Sequence, residues 1–212
     1  MNNVLAGKLH DGIAELGLTD LPAGTEDRLL AYLALLVKWN GAYNLTAVRD
    51  PAQMLVKHLL DSLSVLPHVK GETLIDVGTG AGLPGLVLAL ARPALRVTLL
   101  DSNGKKVRFL RQVIAELGIG NAEAVQSRVE EFAGHYDVVT SRAFATLADM
   151  VEWSGHLAGE SGEFLAMKGV HPAEEIAALP AGFRATSVVS LTVPFLEEAR
   201  HLVHIVHDDA RH

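Results

Sequence analysis

Cysteine is absent from the 212 residues of this chain. That excludes disulfides, thiolate metal sites and a cysteine nucleophile, and it suits a reducing compartment. A cytoplasmic protein is expected. No stretch reaches the ~18 consecutive apolar residues of a membrane span, so no membrane partner is expected. The first residues carry no basic run followed by an apolar core, so no signal peptide is predicted. An excess of positive charge is also missing. Lys and Arg number 18 against 25 Asp and Glu, for a net charge of −7. Nucleic-acid binders are usually basic, at least locally. The balance therefore argues against tight binding to naked RNA or DNA. The ten histidines include no H-x-x-x-H pair with a third ligand. His201, His204 and His207 are spaced by three but fall in a strand and turn, so no metal is expected.

What is present is a large apolar fraction, 49%, enough for one domain with an added lobe. Residues 1–66 read as that lobe and are helical. Leu5, Leu9, Ile13 and Leu16 form one stripe, closed by Gly17. Thr25 is placed to cap a second helix that runs to about Trp39, with Leu29, Leu30, Leu33, Leu36 and Val37 on its apolar face. Asp50-Pro51 starts a third, with Val56, Leu59, Leu60 and Leu63 inward. From residue 67 to 212 the pattern becomes strand–helix alternation, one compact unit. Strands are predicted at 73–77, 96–101, 122–126, 136–141 and 163–168. Helices are predicted at 83–92, 104–117, 128–133, 145–157 and 172–179. Two late strands come after them, at about 184–193 and 201–206, and His207–His212 read as a frayed tail. Such alternation means parallel strands with right-handed crossovers, and the late strands suggest an antiparallel edge.

The chain is organised around residues 72–85, a strand, a glycine loop and the start of a helix. Gly78, Gly80, Gly82 and Gly85 allow close backbone approach to a ligand, with free amides and the helix dipole aimed the same way. Gly80-Ala81-Gly82-Leu83-Pro84-Gly85 fits G-x-G-x-x-G, a weak signal for a dinucleotide. The wider pattern puts Asp76 two residues before the first glycine. A carboxylate there repels a pyrophosphate and can hold an ammonium. The stretch therefore resembles motif I of the S-adenosylmethionine (SAM)-dependent methyltransferases. Asp101 ends the next strand, where an acid accepts from ribose hydroxyls of NAD or SAM alike. In open α/β sheets ligands bind beyond the carboxyl ends of the strands. Those ends carry Asp76, Asp101, Ser127-Arg128-Val129-Glu130, Ser141-Arg142 and Lys168-Gly169, so one cleft is expected to gather them.

The segment after the fourth strand narrows the acceptor. Ser141-Arg142-Ala143-Phe144 is not the Asn/Asp-Pro-Pro-aromatic that modifies exocyclic amines, and a thiolate adduct is excluded. An acceptor already nucleophilic, such as a purine N7, needs neither device and no general base. Small-molecule and protein acceptors stay open on this argument, as do a dinucleotide oxidoreductase and a non-catalytic nucleotide-binding module. On helix 104–117, Val107, Leu110, Ile114 and Leu117 face the sheet. Lys105, Lys106, Arg108 and Arg111 form a local basic patch fit for phosphates.

Longer matches are more specific. Asn44-Leu45-Thr46-Ala47-Val48, His58-Leu59-Leu60-Asp61-Ser62-Leu63, the loop 76–85, Leu99-Leu100-Asp101-Ser102, Lys105–Leu110, Ser127–Glu130 and Ser141–Phe144 together resemble the bacterial ribosomal RNA small-subunit methyltransferase G (GidB) family. Lys168-Gly169 and Glu198–His201 extend the match over nearly the whole chain. The resemblance implies a Rossmann-like class I SAM methyltransferase, with a seven-stranded, mostly parallel sheet, helices on both faces and an N-terminal helical extension. It implies direct in-line methylation of N7 of guanine 527 in 16S rRNA, within the small ribosomal subunit and without a covalent enzyme intermediate. The cofactor residues it implies are Asp76, Gly78, Thr79, Gly80, Gly82, Leu83, Asp101, Ser102, Val129, Glu130 and Arg142, with Arg142 positioning the reactants. The RNA contacts it suggests are His58, Lys105, Arg108, Arg111, Lys168 and Arg200. Ala81 stands where this family often has Pro, a change expected to be silent.

Overall fold

A computed structural model describes residues 3–142, 144 and 146–208. The predicted fraying of the tail therefore lies largely outside the described residues. Four helical stretches come first. They are α1 (Asn3–Glu15), α2 (Thr25–Tyr43), α3 (Pro51–Met54) and α4 (Asp61–Leu63), the last two joined through a π-helical turn, Leu55–Leu60. Strands and helices then alternate: β1 (Thr73–Val77), α5 (Gly85–Ala91), β2 (Arg96–Asp101), α6 (Gly104–Leu117), β3 (Ala122–Gln126), β4 (Tyr136–Ser141), α7 (Leu147–Ser154), β5 (Ala158–Lys168), α8 (Ala173–Ala177), β6 (Phe183–Ser190) and β7 (His201–His207).

The strands form one sheet in the order β3-β2-β1-β4-β5-β7-β6. β1 to β5 are parallel, and β7 runs antiparallel between β5 and β6. The expected antiparallel late strands are present. Alternation along the strands sends Leu74, Leu99 and Val138 to one face and Ile75, Leu100 and Val139 to the other, as the two-residue side-chain period requires. The first face is covered by α1, α2, residues 51–66, α5 and α6 in one continuous core. The second is covered mainly by α7.

Three local expectations are corrected. Thr25 does not cap α2. Gly24 takes the cap position at φ 81°, and the Thr25 hydroxyl donates to Pro22 O at 2.7 Å. The helix also continues four residues beyond Trp39, and Tyr32 rather than Val37 is buried on its inner face. Residues 129–131 make a single 3-10 turn instead of a helix. The third helix starts as expected, with Asp50 accepting from the Gln53 amide.

Candidate active site

Asp76, near the end of β1, is fully buried. Its Oδ2 accepts from the Thr79 hydroxyl at 2.8 Å and from the Gly85 amide at 2.7 Å. One carboxylate thus ties the entry of the glycine loop to the start of α5. Its Oδ1 is buried and has no hydrogen-bond partner among the described residues. Burial pushes the Asp76 carboxyl up to about 7, against the pull of Thr79, Gly85 and Arg142.

Gly78 and Gly80 lie at φ 66° and 60°, and a Cβ on either would meet nothing within 4 Å. The left-handed backbone requires glycine there, and the space above both is open. The expected free amides are a correction. The Thr79 amide donates to Leu100 O, those of Gly82 and Leu83 to Thr79 O, and those of Gly80 and Gly85 to the carboxylates of Asp101 and Asp76. Glycine loops that hold diphosphates turn such donors toward the phosphates; here these five are bonded within the loop or to the ends of β1 and β2. From the helical lobe, the buried Tyr32 hydroxyl donates to Ala81 O at 2.7 Å.

The other strand ends lie along the same edge. Asp101, almost buried, accepts from the Gly80 amide and, at 2.9 Å, from the Asn103 amide. Ser102 is exposed beside it. Val129 is half-buried and Glu130 exposed, both in the 3-10 turn after β3. Asn103 caps α6 by accepting from the Lys105 and Lys106 amides. Lys105, Arg108 and Arg111 are exposed on α6. Arg108 reaches the Tyr43 hydroxyl at 3.4 Å, and Arg111 donates to Ala124 O. Phe144 stacks edge-on against Trp153, 5.6 Å between ring centres.

A cavity of about 310 Å³ opens at the ends of β4 and β5, lined by Lys57, His58, Asp61, Arg142, Lys168 and Arg200 among others. Because β7 pairs antiparallel with β5 through Lys168 and His201, Arg200 arrives at the same edge. Arg142 donates to Lys57 O at 3.0 Å and to His58 Nδ1 at 3.3 Å. A guanidinium only donates, so Nδ1 accepts and the proton of the neutral ring sits on Nε2. Nε2 then donates to the Thr46 hydroxyl at 2.8 Å. Burial first, and Arg142 second, push the His58 imidazole down to about 4. Lys168 pairs with Glu175 at 2.8 Å.

Strand-end positions in the sequence located Asp76, Asp101, Arg142 and Lys168, and the structure brings Arg142 and Lys168 together with His58 and Arg200. Lys105, Arg108 and Arg111 stay on the α6 surface. Tyr32, Lys57 and Asp61 were missed as site residues. Asp61 had a signal: spacing of three from His58 puts both on one helix face.

A family model described as rRNA small subunit methyltransferase G matches residues 25–203. A protein of that name from Erwinia tasmaniensis is 60% identical over 189 residues, covering 88% of this chain and 90% of its own. Another, from Cronobacter sakazakii, is 55% identical over 205 residues, covering 96% and 97%. Among solved structures, a SAM-dependent methyltransferase from Aquifex aeolicus superposes with a TM-score of 0.56 at 19% identity, covering 74% of this chain and 94% of its own. That likeness bears on the fold, a Rossmann-like methyltransferase sheet.

Proposed function

Because the chain belongs to the rRNA small subunit methyltransferase G family, we propose that it methylates N7 of a guanine in 16S rRNA of the small ribosomal subunit, the base at position 527 by family resemblance. The observation that supports the cofactor is the Asp76 carboxylate, held from the end of β1 against the first amide of α5. A carboxylate occupies the place where a dinucleotide-binding loop receives its diphosphate, and the neighbouring amides are already bonded. A cationic, phosphate-free nucleoside suits that arrangement. SAM, when bound, supplies an electrophilic methyl group on a sulfonium.

The residues present fit such a ligand. Asp76 Oδ1 is a buried acceptor with spare capacity for an ammonium. Gly78, Gly80, Gly82 and Leu83 form the floor, and Thr79 holds Asp76. Asp101 and Ser102 lie where ribose hydroxyls would be met, and Val129 and Glu130 border the adenine side. Arg142 stands between this site and the cavity. A guanine N7 lone pair attacks in line without losing a proton, so the protein has to position and not to deprotonate. Arg142, fixed by Lys57 O and His58, serves that end.

The cation excess around the cavity suits phosphates and the guanine O6. Lys168, Arg200 and, from the cavity side, the buried His58 are the RNA contacts there. Lys105, Arg108 and Arg111 meet phosphates farther out. With a net charge of −7, the protein acts on an assembled subunit in the cytoplasm by shape, not on free RNA by charge. The test is transfer of labelled methyl from SAM to small subunits lacking the modification, with the labelled nucleotide then mapped. Label at one guanine N7 is the expected result. Label in protein or metabolites alone would overturn the reading.

A further inference from the structure

The cavity wall carries four cations and a single carboxylate, Asp61, among its described lining residues. Asp61 is 2% exposed. Its Oδ2 lies 3.7 Å from Arg142 and its Oδ1 3.4 Å from Arg200. These arginines are far apart in the chain, one after β4 and one before β7. Two guanidinium groups facing one cavity repel each other unless an anion stands between them. We propose that Asp61 is a positioning residue, a counter-ion that brings Arg142 and Arg200 to one wall of the acceptor cavity in register with the incoming base. The inference rests on the methyl-transfer reading above.

Two further observations support it. The π-helical turn ends at Leu60, immediately before Asp61. Such turns widen a helix locally and recur at functional sites. Arg142 donates to Lys57 O within this turn, and His58 and Asp61 line the same cavity. Burial pushes the Asp61 carboxyl up, while Arg142 and Arg200 pull it down. The two arginines therefore favour the ionised carboxylate that a counter-ion has to be.

Asp61→Asn keeps the shape and removes the charge. Its kcat on deficient subunits is expected to fall by about 100-fold, the scale of an ångström-sized misplacement near the chemistry. Its affinity for SAM should fall far less than its kcat, because Asp76, Asp101 and the glycine loop are held by bonds that do not involve Asp61, and Asp61→Glu should recover part of the loss. In an Arg200→Gln background the same change should cost several-fold less, since its effect runs partly through Arg200. Equal cost in both backgrounds, or kcat unchanged in Asp61→Asn, would overturn the proposal. If Asp61→Asn does not fold, Asp61→Asn with Arg200→Gln is measured. Restored folding supports the counter-ion role, because one unpaired buried-side charge has been removed, and no restoration refutes it. Wild-type protein that labels no RNA would instead sink the methyl-transfer reading, which keeps the two failures apart.

Discussion

At the residue scale, Asp76 ties stability and cofactor binding to pH in opposite senses. Its pKa is raised from 3.8 to about 7 in the fold. Between those values the folded chain holds a proton that the unfolded chain has released. This group's contribution to stability therefore falls as pH rises through that window and is level above it. A cation beside the carboxylate is favoured only once the acid is ionised. SAM affinity should rise by up to about tenfold per unit as pH climbs toward 7, then flatten. Titration calorimetry at about one-unit steps from below to above the Asp76 pKa checks this, and Asp76→Asn should abolish the slope. His58 works the other way on stability, because its folded pKa is lowered to about 4. The unfolded chain takes up that proton first, so stability is lost as pH falls from about 6.5 to 4. Tyr32→Phe strips the donor from a buried carbonyl in the loop. It should cost about 1–3 kcal/mol of stability and weaken SAM binding more than it lowers kcat at saturation. Strand-end residues were legible in the sequence because a polar side chain ending an apolar run is visible locally. Tyr32 was not, because its partner Ala81 is distant in the chain, and Asp61 showed only its spacing from His58 and not its distant partners Arg142 and Arg200.

Among the elements, the strands were legible as short apolar runs and the edge helices less so. The π-helical turn left no trace in the pattern. Val56, Leu59, Leu60 and Leu63 satisfy an α-helical stripe equally well, and all four are buried. Amides facing the ligand were expected from the glycines alone, and the acids that consume two of them were read as ligand contacts only. Two glycines separate backbone strain from packing. A Cβ on Gly85 would lie 2.6 Å from Leu99 and 2.8 Å from Asp76, so Gly85→Ala pushes α5 off the sheet, at about 1–3 kcal/mol. Gly78→Ala meets only its left-handed φ, at roughly 1–2 kcal/mol. Thermal melts should show both losses, with cofactor binding hit harder in Gly85→Ala because Asp76 moves. The exposed face of α6 has a different signature. Lys105→Gln and Arg108→Gln should each lower the salt slope of subunit binding by about 1 and leave SAM binding alone.

For the whole molecule, one continuous core joins the helical lobe to a face of the sheet, so ligand binding is felt globally. SAM at about 100 times its Kd should raise stability by about 2.7 kcal/mol. NADH at matched concentration should leave the melting temperature unchanged. A shift with NADH and none with SAM would reverse the reading of the loop. The sheet also has a temporal consequence. β7 is last in sequence yet lies between β5 and β6. A nascent polypeptide halted before His201 has β6 without its neighbour and Arg200 without its anchor. The strand that fills the sheet between β5 and β6 must therefore be made before the cavity can gain its Arg200 wall, and a chain truncated at residue 200 should aggregate or be degraded rather than persist as a partly working enzyme.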